Sequence, residues 1–188
     1  SGLVMVTPAM SYFLHKGLCE YGLVEESFEL FRSRFDRMLC EGNSQTLWEE
    51  WTVNGTGRTG KLQVKTRSDA QTESAFPPAL FAEYLYGIEV LSPGMKKIRL
   101  RPVYSGVKDL KGEFPTPEGS LSIEWEFKKD GRGSLQLEVP GEMEVVVDLS
   151  VLEDIREKNI TVDEEEIRFT EGDEPVIVLK KGSHKLSF

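Results

Sequence analysis

One short segment combines carboxylates with aromatic rings at a spacing that could carry out chemistry. Residues 46–51 read Thr-Leu-Trp-Glu-Glu-Trp, so that Trp48 and Trp51 stand three apart and Glu49 lies between them. Aromatic rings stack on sugar faces, and a carboxylate beside them can act as an acid, a base or an acceptor of hydroxyl hydrogen bonds. The alternative is a helical turn with two packed tryptophans and two solvated glutamates, Glu49 and Glu50.

A second polar cluster lies at residues 67–73, which read Arg-Ser-Asp-Ala-Gln-Thr-Glu. It precedes two prolines, Pro77 and Pro78, that are typical of a helix start. Polar residues gathered before a helix can line the mouth of a pocket. The alternative is a capping segment in which Thr72 or Ser74 is the N-cap of the helix.

Charge and composition exclude several classes of partner. The 188 residues include 23 basic and 32 acidic side chains, which gives a formal charge of −9. Binding to nucleic acid or to an anionic membrane needs the opposite sign of charge, whereas a neutral partner such as a sugar is compatible. The chain has only two histidines and two cysteines, and the cysteines show no Cys-x-x-Cys spacing. We therefore expect no metal site and no cofactor.

The first part of the chain has helical periodicity. A helix is predicted after Thr7-Pro8, ended by Gly22, and the short connection to the next helix predicts an antiparallel helical hairpin. His15 is expected to be a structural residue on or near the surface of the first helix. A second helix is predicted over 24–39 and a third over 77–86. The first helix has one apolar face of Met10, Phe13, Leu14, Leu18 and Tyr21, and the second has one of Phe28, Phe31, Phe35 and Leu39. Such faces need a covering surface, which could be the sandwich or further helices of a larger helical domain. The expected buried face of the third helix is Leu80, Phe81, Tyr84 and Leu85.

Alternating patterns and turn residues dominate from residue 88 onward and predict an antiparallel β-sandwich. His184 is expected to be an exposed edge residue, and the acidic run 163–166 a solvated loop. The fold class is therefore α+β, with a helical segment over 1–87 and a sandwich over 88–188. The predicted strands are 97–101, 120–127, 134–139, 144–149, 166–170, 176–179 and 184–188.

Four motifs, in order along the chain, resemble those of one enzyme family. The segment 46–51 is similar to a T-x-W-E-x-W pattern, and residues 67–69 precede a Pro-led helix that ends at residues 86–88. Residues 93–102 are similar to a P-G-x-K strand that ends in proline, and residues 114–125 to a P-T-P-x-G…W hairpin. Together these motifs resemble the bacterial α-L-rhamnosidases, glycoside hydrolase family 78.

The resemblance implies an architecture and a mechanism. Such enzymes have an (α/α)₆ catalytic barrel of six helical hairpins followed by a C-terminal β-sandwich. The chain would then be the C-terminal part of a longer enzyme, with residues 1–87 at the end of the barrel. Family members remove terminal α-L-rhamnose with inversion, which requires a general acid and a general base on opposite faces of the sugar.

The resemblance also implies roles for individual residues. The glutamate of the T-x-W-E motif is the family's general base, which falls on Glu49, and Trp48 and Trp51 would form walls of the rhamnose pocket. The family's general acid comes from an earlier barrel segment. Many members carry H-A-W after the polar cluster, and those positions hold Gln71 and Glu73 here. Gln71 is therefore a candidate substrate-binding residue, and another deoxy-sugar or a uronide stays open as substrate.

Two other functions remain open at this point. One is a non-catalytic carbohydrate-binding or scaffolding β-sandwich with a helical adaptor, in which Glu49 would be solvated or ion-paired. The other is a different (α/α)₆ enzyme, either another exo-glycosidase or a phosphorylase. The expected partners are the carbohydrate substrate, the missing N-terminal part of the same enzyme and a second copy. The second copy would bind through apolar helix faces that are exposed because they lose their barrel neighbours, with Phe13, Leu14, Phe28, Phe31 and Phe35. The chain has no targeting signal, which leaves the compartment open between cytoplasm and periplasm.

Overall fold

A computed structural model describes residues 6–40, 46–51, 68, 70–101, 103, 105–128 and 132–188 of the chain. The side chains of Arg37 and Leu39 fall outside the description, and so do Arg67 and Asp69 of the polar cluster. The chain divides into two compact units, residues 1–81 and 82–188. Within the described ranges, no helix is both long enough and apolar enough to cross a lipid bilayer.

The first unit begins with the predicted helical hairpin. Helix α1 spans Ser11–Glu20 and helix α2 spans Val24–Cys40. Gly22 has a φ of +79° and ends α1, and the Leu23 N–H donates to the carbonyl of Leu18 at 2.9 Å, so the predicted glycine stop is confirmed. Helix α1 starts later than predicted, because residues 8–10 form a turn before it.

The apolar face predicted for α1 is largely exposed. Phe13 is 64% exposed and Tyr21 is 86% exposed, and Met10 and Leu14 are also exposed. The residues that α1 buries are Ser11, His15 and Cys19. The described residues of this unit leave the apolar stripe uncovered, which confirms the expectation that an apolar helix face is exposed.

Helix α3 spans Pro77–Leu80 and continues as a wider π-helical turn over Phe81–Leu85. Together they correspond to the predicted third helix. The chain then turns at Gly87, whose φ is +71°. A Cβ at this position would overlap the backbone carbonyl of Arg101, and the Arg101 N–H donates to the Gly87 carbonyl at 2.9 Å. Only glycine therefore fits this turn without distortion.

The second unit is the predicted β-sandwich, built from two sheets. The four-stranded sheet has the order β1-β2-β6-β9, and the six-stranded sheet has the order β3-β4-β5-β10-β7-β8. All pairs are antiparallel except β2 with β6, which is parallel. The strands in the described residues are β1 Ile88–Val90, β2 Lys97–Leu100, β3 Asp109–Thr116, β4 Gly119–Phe127, β5 Gly133–Val139, β6 Glu144–Asp148, β7 Ile160–Val162, β8 Glu165–Ile167, β9 Val176–Leu179 and β10 Gly182–Ser187.

Inward-facing residues of both sheets form one apolar core. Alternation along β4 buries Leu121, Ile123 and Trp125, and β5 contributes Leu135 and Leu137 in the same way. These strands were predicted from that alternation. Strands β1, β3 and β7 were not among the predicted ranges: β1 and β7 are three residues long, and β3 contains Gly112 and Pro115, which are unfavourable in strands.

His184 is not the exposed edge residue that the sequence suggested. It lies in β10 with its side chain only 18% exposed. Its Nδ1 is 2.7 Å from Oδ2 of Asp163, and its Nε2 is 2.7 Å from the carbonyl oxygen of Lys180. Asp163 therefore belongs to a hydrogen-bonded turn between β7 and β8, and not to a free solvated loop. Oδ1 of the same carboxylate accepts the Lys185 N–H at 2.8 Å.

Both partners of the imidazole are acceptors, so only the protonated ring can donate to both. Burial disfavours the charged ring, but the hydrogen bonds to Asp163 and Lys180 and the charges of Asp163 and Glu138 outweigh it and raise the pKa of His184. The hydrogen bonds from His184 and Lys185 lower the pKa of Asp163. The pair is therefore fully charged between these two displaced pKa values.

We predict that Asp163→Asn destabilises the chain by an amount that depends on pH. A raised histidine pKa stabilises the fold below the unfolded value of about 6.5, and this contribution is lost as the pH rises through the folded value. The penalty, about 1 kcal/mol or less because the Asp163 side chain is 45% exposed, should therefore shrink as the pH rises above about 6.5. Urea unfolding of wild type and variant across this range measures it.

Asp173→Asn is the matched control. Asp173 accepts hydrogen bonds from the N–H and hydroxyl of Thr170, both at 2.7 Å, which lower the pKa of Asp173 without any histidine. Its penalty should stay constant above about pH 6, where the carboxylate is ionised in both states. A pH-independent penalty for Asp163→Asn would contradict the histidine pairing.

Candidate functional site

The residues of the T-x-W-E-x-W motif lie in a segment without regular secondary structure that bends at Glu49 and Glu50, and not in a helical turn. The segment pairs with the polar cluster downstream. The Glu49 N–H donates to the carbonyl of Ser68 at 3.0 Å, and the Gln71 N–H donates to the carbonyl of Leu47 at 2.8 Å. The structure therefore brings together the two sequence regions that were predicted to form a site.

Both tryptophans are buried within the first unit. Trp48 is 9% exposed and Trp51 is 8% exposed, and they form one apolar cluster with Phe35 and Met38 of α2. The rings of Phe35 and Trp51 meet edge to face, with centroids 5.1 Å apart and planes at 81°. The indole Nε1–H of Trp51 donates to the carbonyl of Val6 at 2.7 Å. These contacts make the tryptophans the anchor of the segment.

The same contacts correct the expectation that Phe35 lies on an exposed helix face. Its ring is stacked on Phe31, with centroids 4.2 Å apart and planes at 9°, and it meets Phe76 edge to face. Phe35 is therefore at the centre of the aromatic cluster that carries the motif. Exposed apolar surface in this unit is confined to α1 and its flanking residues among the large side chains described.

The two glutamates of the motif differ in environment. Glu49 is partly exposed, whereas Glu50 is only 2% exposed, which overturns the reading of two solvated glutamates. A bend at these residues accounts for the difference, because regular alternation cannot bury Trp48, Glu50 and Trp51 together. Of the pair, Glu49 is therefore the more accessible to solvent.

Gln71 lies at the start of a short 3₁₀ turn over Thr72–Ser74 and is partly exposed. No side-chain cap forms at this turn or at α3, so the capping interpretation of Thr72 and Ser74 is wrong. The backbone N–H of Glu73 is the main cause that lowers the pKa of its carboxylate, and hydrogen bonds from Thr72 and Gln71 act in the same direction. An ionised carboxylate therefore lies beside the Gln71 amide.

Ser74 has a role that sequence reasoning missed. It is fully buried, and its hydroxyl donates to the Trp48 carbonyl at 2.8 Å. The Trp48 N–H in turn points to Sδ of Met38 at 3.4 Å. Serine before a proline-led helix signals a cap in sequence, and only the fold reveals that this hydroxyl ties the polar cluster to the motif.

His15 is buried rather than superficial, in keeping with the structural role predicted for it. Its Nδ1 lies 3.0 Å from Oγ of Ser27, and the rings of Phe31 and Phe35 flank it. Burial lowers the pKa of His15 and outweighs the hydrogen bond with Ser27, so the ring is neutral at pH 7. His15 packs the helical hairpin together.

A small cavity of about 220 Å³ opens beside Trp51. Its described lining comes from α1, α2 and the N-terminal turn, including His15 and Arg34, and it includes neither Glu49 nor Trp48. Among the described residues, no group of three or more histidine, cysteine, aspartate or glutamate side chains is arranged to hold a metal ion. The paired segments that carry Glu49 and Gln71 lie outside this cavity, and the site that the sequence places on them stays a prediction.

Comparison with known proteins identifies the second unit and the overall resemblance. Residues 87–163 match the family model described as the bacterial alpha-L-rhamnosidase C-terminal domain. No curated protein matches the sequence. The resemblance predicted from the four motifs is confirmed.

Solved structures match a larger part of the chain. The α-L-rhamnosidase of Dictyoglumus thermophilum covers 96% of it at 23% identity, with a TM-score of 0.73. The family 78 rhamnosidase of Bacillus sp. GL1 covers 77% of the chain at 25% identity, with a TM-score of 0.66. The Streptomyces avermitilis α-L-rhamnosidase complexed with L-rhamnose covers 91% of the chain at 18% identity, with a TM-score of 0.61. The chain spans only 20%, 15% and 16% of these three proteins, respectively.

Proposed function

Because the chain resembles the C-terminal part of the family 78 α-L-rhamnosidases, we propose that it belongs to an inverting glycoside hydrolase that removes terminal α-L-rhamnose or a related sugar. Residues 1–87 form the end of the six-hairpin catalytic barrel in this proposal, and residues 88–188 form the C-terminal sandwich. Homology of the sandwich supports the family, and the paired segments of the first unit support the placement of the site.

The observation that carries the proposal is the position of Glu49. Its backbone is held by the hydrogen bond to Ser68, and the neighbouring tryptophans are fixed in the aromatic cluster. A general base must stay in place relative to the sugar while its carboxylate reaches a water molecule. A partly exposed carboxylate on an anchored segment meets both requirements.

In the proposed mechanism, the Glu49 carboxylate removes a proton from water, which attacks the anomeric carbon opposite the leaving oxygen. The bond to the leaving oxygen breaks as a general acid protonates it, and the sugar is released with inverted configuration. That acid would come from the missing part of the barrel. Inverting enzymes hold the two carboxyl groups about 6.5–9.5 Å apart, so the second must face Glu49 across the sugar.

Trp48, Trp51 and Gln71 are the proposed substrate-binding residues. Since each tryptophan exposes less than a tenth of its surface, its ring would contact the sugar only along the edge that remains open. Gln71 carries an amide that can both donate and accept, which suits a sugar hydroxyl. Its hydrogen bond with Glu73 would orient that amide towards the ligand.

We predict that Glu49→Gln in the full-length enzyme lowers kcat by roughly 10²–10⁴-fold with little change in KM. The substitution keeps the shape of the side chain and removes its basicity, which acts in the transition state. Steady-state hydrolysis of an aryl α-L-rhamnoside measures both constants. With Glu49→Ala, added azide should restore part of the activity and yield a β-configured glycosyl azide.

Glu26→Gln is the matched control, since Glu26 is an exposed glutamate in the first turn of α2. It should leave kcat and KM unchanged. Glu50→Gln is not a neutral control, because Glu50 is buried, and the expected effect is on stability. Normal turnover by Glu49→Gln would rule out Glu49 as the base.

The exposed stripe of α1, defined as Met10, Phe13, Leu14 and Tyr21, is proposed to pack against the missing barrel helices. A helix face this apolar needs a partner, since contiguous apolar patches on soluble proteins mark contact surfaces. The short span of the chain relative to the rhamnosidases supports such a partner within the same enzyme. In the isolated chain, the same stripe would be open to a second copy.

We therefore predict that the isolated chain self-associates through this stripe. The double variant Phe13→Ser, Leu14→Ser should reduce the mass measured by light scattering and the binding of a hydrophobic dye. Val178→Ser, which removes an apolar group that is half exposed in the sandwich, should change neither. A strictly monomeric wild-type chain at high concentration would contradict this prediction.

A further inference from the structure

The solvent side of the six-stranded sheet carries a groove of about 800 Å³ that the proposed catalytic role does not use. Its floor is formed by strands β4, β5 and β10, and the turn after β7 forms one rim. The volume lies within the range of small-ligand sites, roughly 300–1,000 Å³. This sheet groove belongs entirely to the second unit.

Strand register arranges the floor of the sheet groove as two polar rows. In the first row, Glu124 lies opposite Gln136, which lies opposite Lys185. Directly paired side chains stand about 5 Å apart, and rows along a strand are about 7 Å apart. The second row consists of Ser122, Glu138 and Ser183.

Several of these groups have unused hydrogen-bonding capacity. Within the described part of the chain, the side chains of Gln136 and Lys185 make no hydrogen bond or ion pair. At the edge of the groove, in contrast, Glu124 is paired with Lys111 at 2.7 Å. Donors and acceptors at the centre of the floor are thus available to a ligand.

The chemistry of the lining excludes most ligand classes. Four carboxylates, Glu124, Glu138, Asp163 and Glu164, outnumber the cations Lys185 and His184, so an anion would be repelled. Leu137 is the single large apolar residue in the described lining, so an apolar molecule would gain little. No arrangement for a metal ion occurs among the described residues.

With anions, apolar molecules and metal ions excluded, a neutral polyhydroxyl molecule is the ligand class that fits the described lining. Each sugar hydroxyl both donates and accepts a hydrogen bond, and the floor offers carboxylate acceptors next to amide and ammonium donors. Because the described lining holds no Phe, Tyr or Trp ring, and the His184 ring is held by Asp163 and Lys180, recognition would act through hydroxyl groups and not through stacking on a ring face. The rim is rigid, since His184 and Lys185 hold Asp163 through two oxygens.

We propose that the sheet groove is a saccharide-binding site of the sandwich domain. It would hold a neutral oligosaccharide chain across β4, β5 and β10 through hydrogen bonds donated by Gln136 and Lys185 and accepted by Gln136 and Glu138. Binding at the sheet groove requires no catalytic activity, so this proposal does not depend on the role of Glu49.

The test is an amide chemical-shift titration of the ¹⁵N-labelled 188-residue chain. The probes are maltohexaose, a neutral rhamnose-terminated oligosaccharide and hexalysine. Saturable shifts confined to residues 122–124, 136–138 and 183–185 are expected with at least one of the two saccharides. No saturable shift with either saccharide, or shifts located elsewhere, would overturn the proposal. Binding of hexalysine alone would also overturn it, because the groove would then be a cation-binding surface.

Two variants with the same charge change separate contact from overall charge. Glu138→Ala removes a carboxylate from the sheet groove, and loss of a hydrogen bond to a charged group should weaken saccharide binding about tenfold. Glu126→Ala removes an exposed carboxylate of β4 that lies on the same sheet face outside the groove. It should leave affinity within about twofold. Equal weakening by both variants would contradict direct contact by Glu138, and the dispersed spectrum of each variant reports that it is folded.

Discussion

Packing of two tryptophans on helix α2 is the interaction on which the candidate site depends. Trp48 and Trp51 lie with Phe35 and Met38 in one cluster, and the chain between them bends so that Glu50 is buried and Glu49 is not. Two backbone hydrogen bonds to the polar cluster and the hydroxyl of Ser74 add polar contacts to this anchor. The carboxylate is therefore positioned by hydrophobic packing as much as by polar contacts.

Such an arrangement links the helical hairpin to the proposed chemistry. The neutral His15 and the stacked rings of Phe31 and Phe35 fix α1 against α2, and α2 in turn supports the motif. The outer stripe of α1 contributes nothing to this support, which is consistent with its proposed role as a contact for further barrel helices. The hairpin thus supports the segment of Glu49, and in the proposed enzyme the rest of the pocket would come from barrel segments outside this chain.

Much of the fold could be predicted from sequence, because its signals are local. Glycine at position 22 ends α1, and alternation along β4 and β5 specifies their inner faces. The inner face of α1 could not be predicted, since apolar periodicity identifies a face that needs cover without saying where the cover lies. Likewise, the roles of Ser74 and His184 depend on partners 26 and 21 residues away, which no local pattern reveals.

The central claim is that Glu49 is half of a catalytic pair whose acid lies outside this chain. The most direct measurement is the rate of aryl α-L-rhamnoside hydrolysis by the purified 188-residue chain, compared with the full-length enzyme. Loss of the acid alone removes a factor of roughly 10²–10⁴, and the sugar pocket would also be incomplete. The account predicts that the isolated chain lacks measurable turnover while the full-length enzyme is active. Turnover by the isolated chain comparable to that of the full-length enzyme would contradict it.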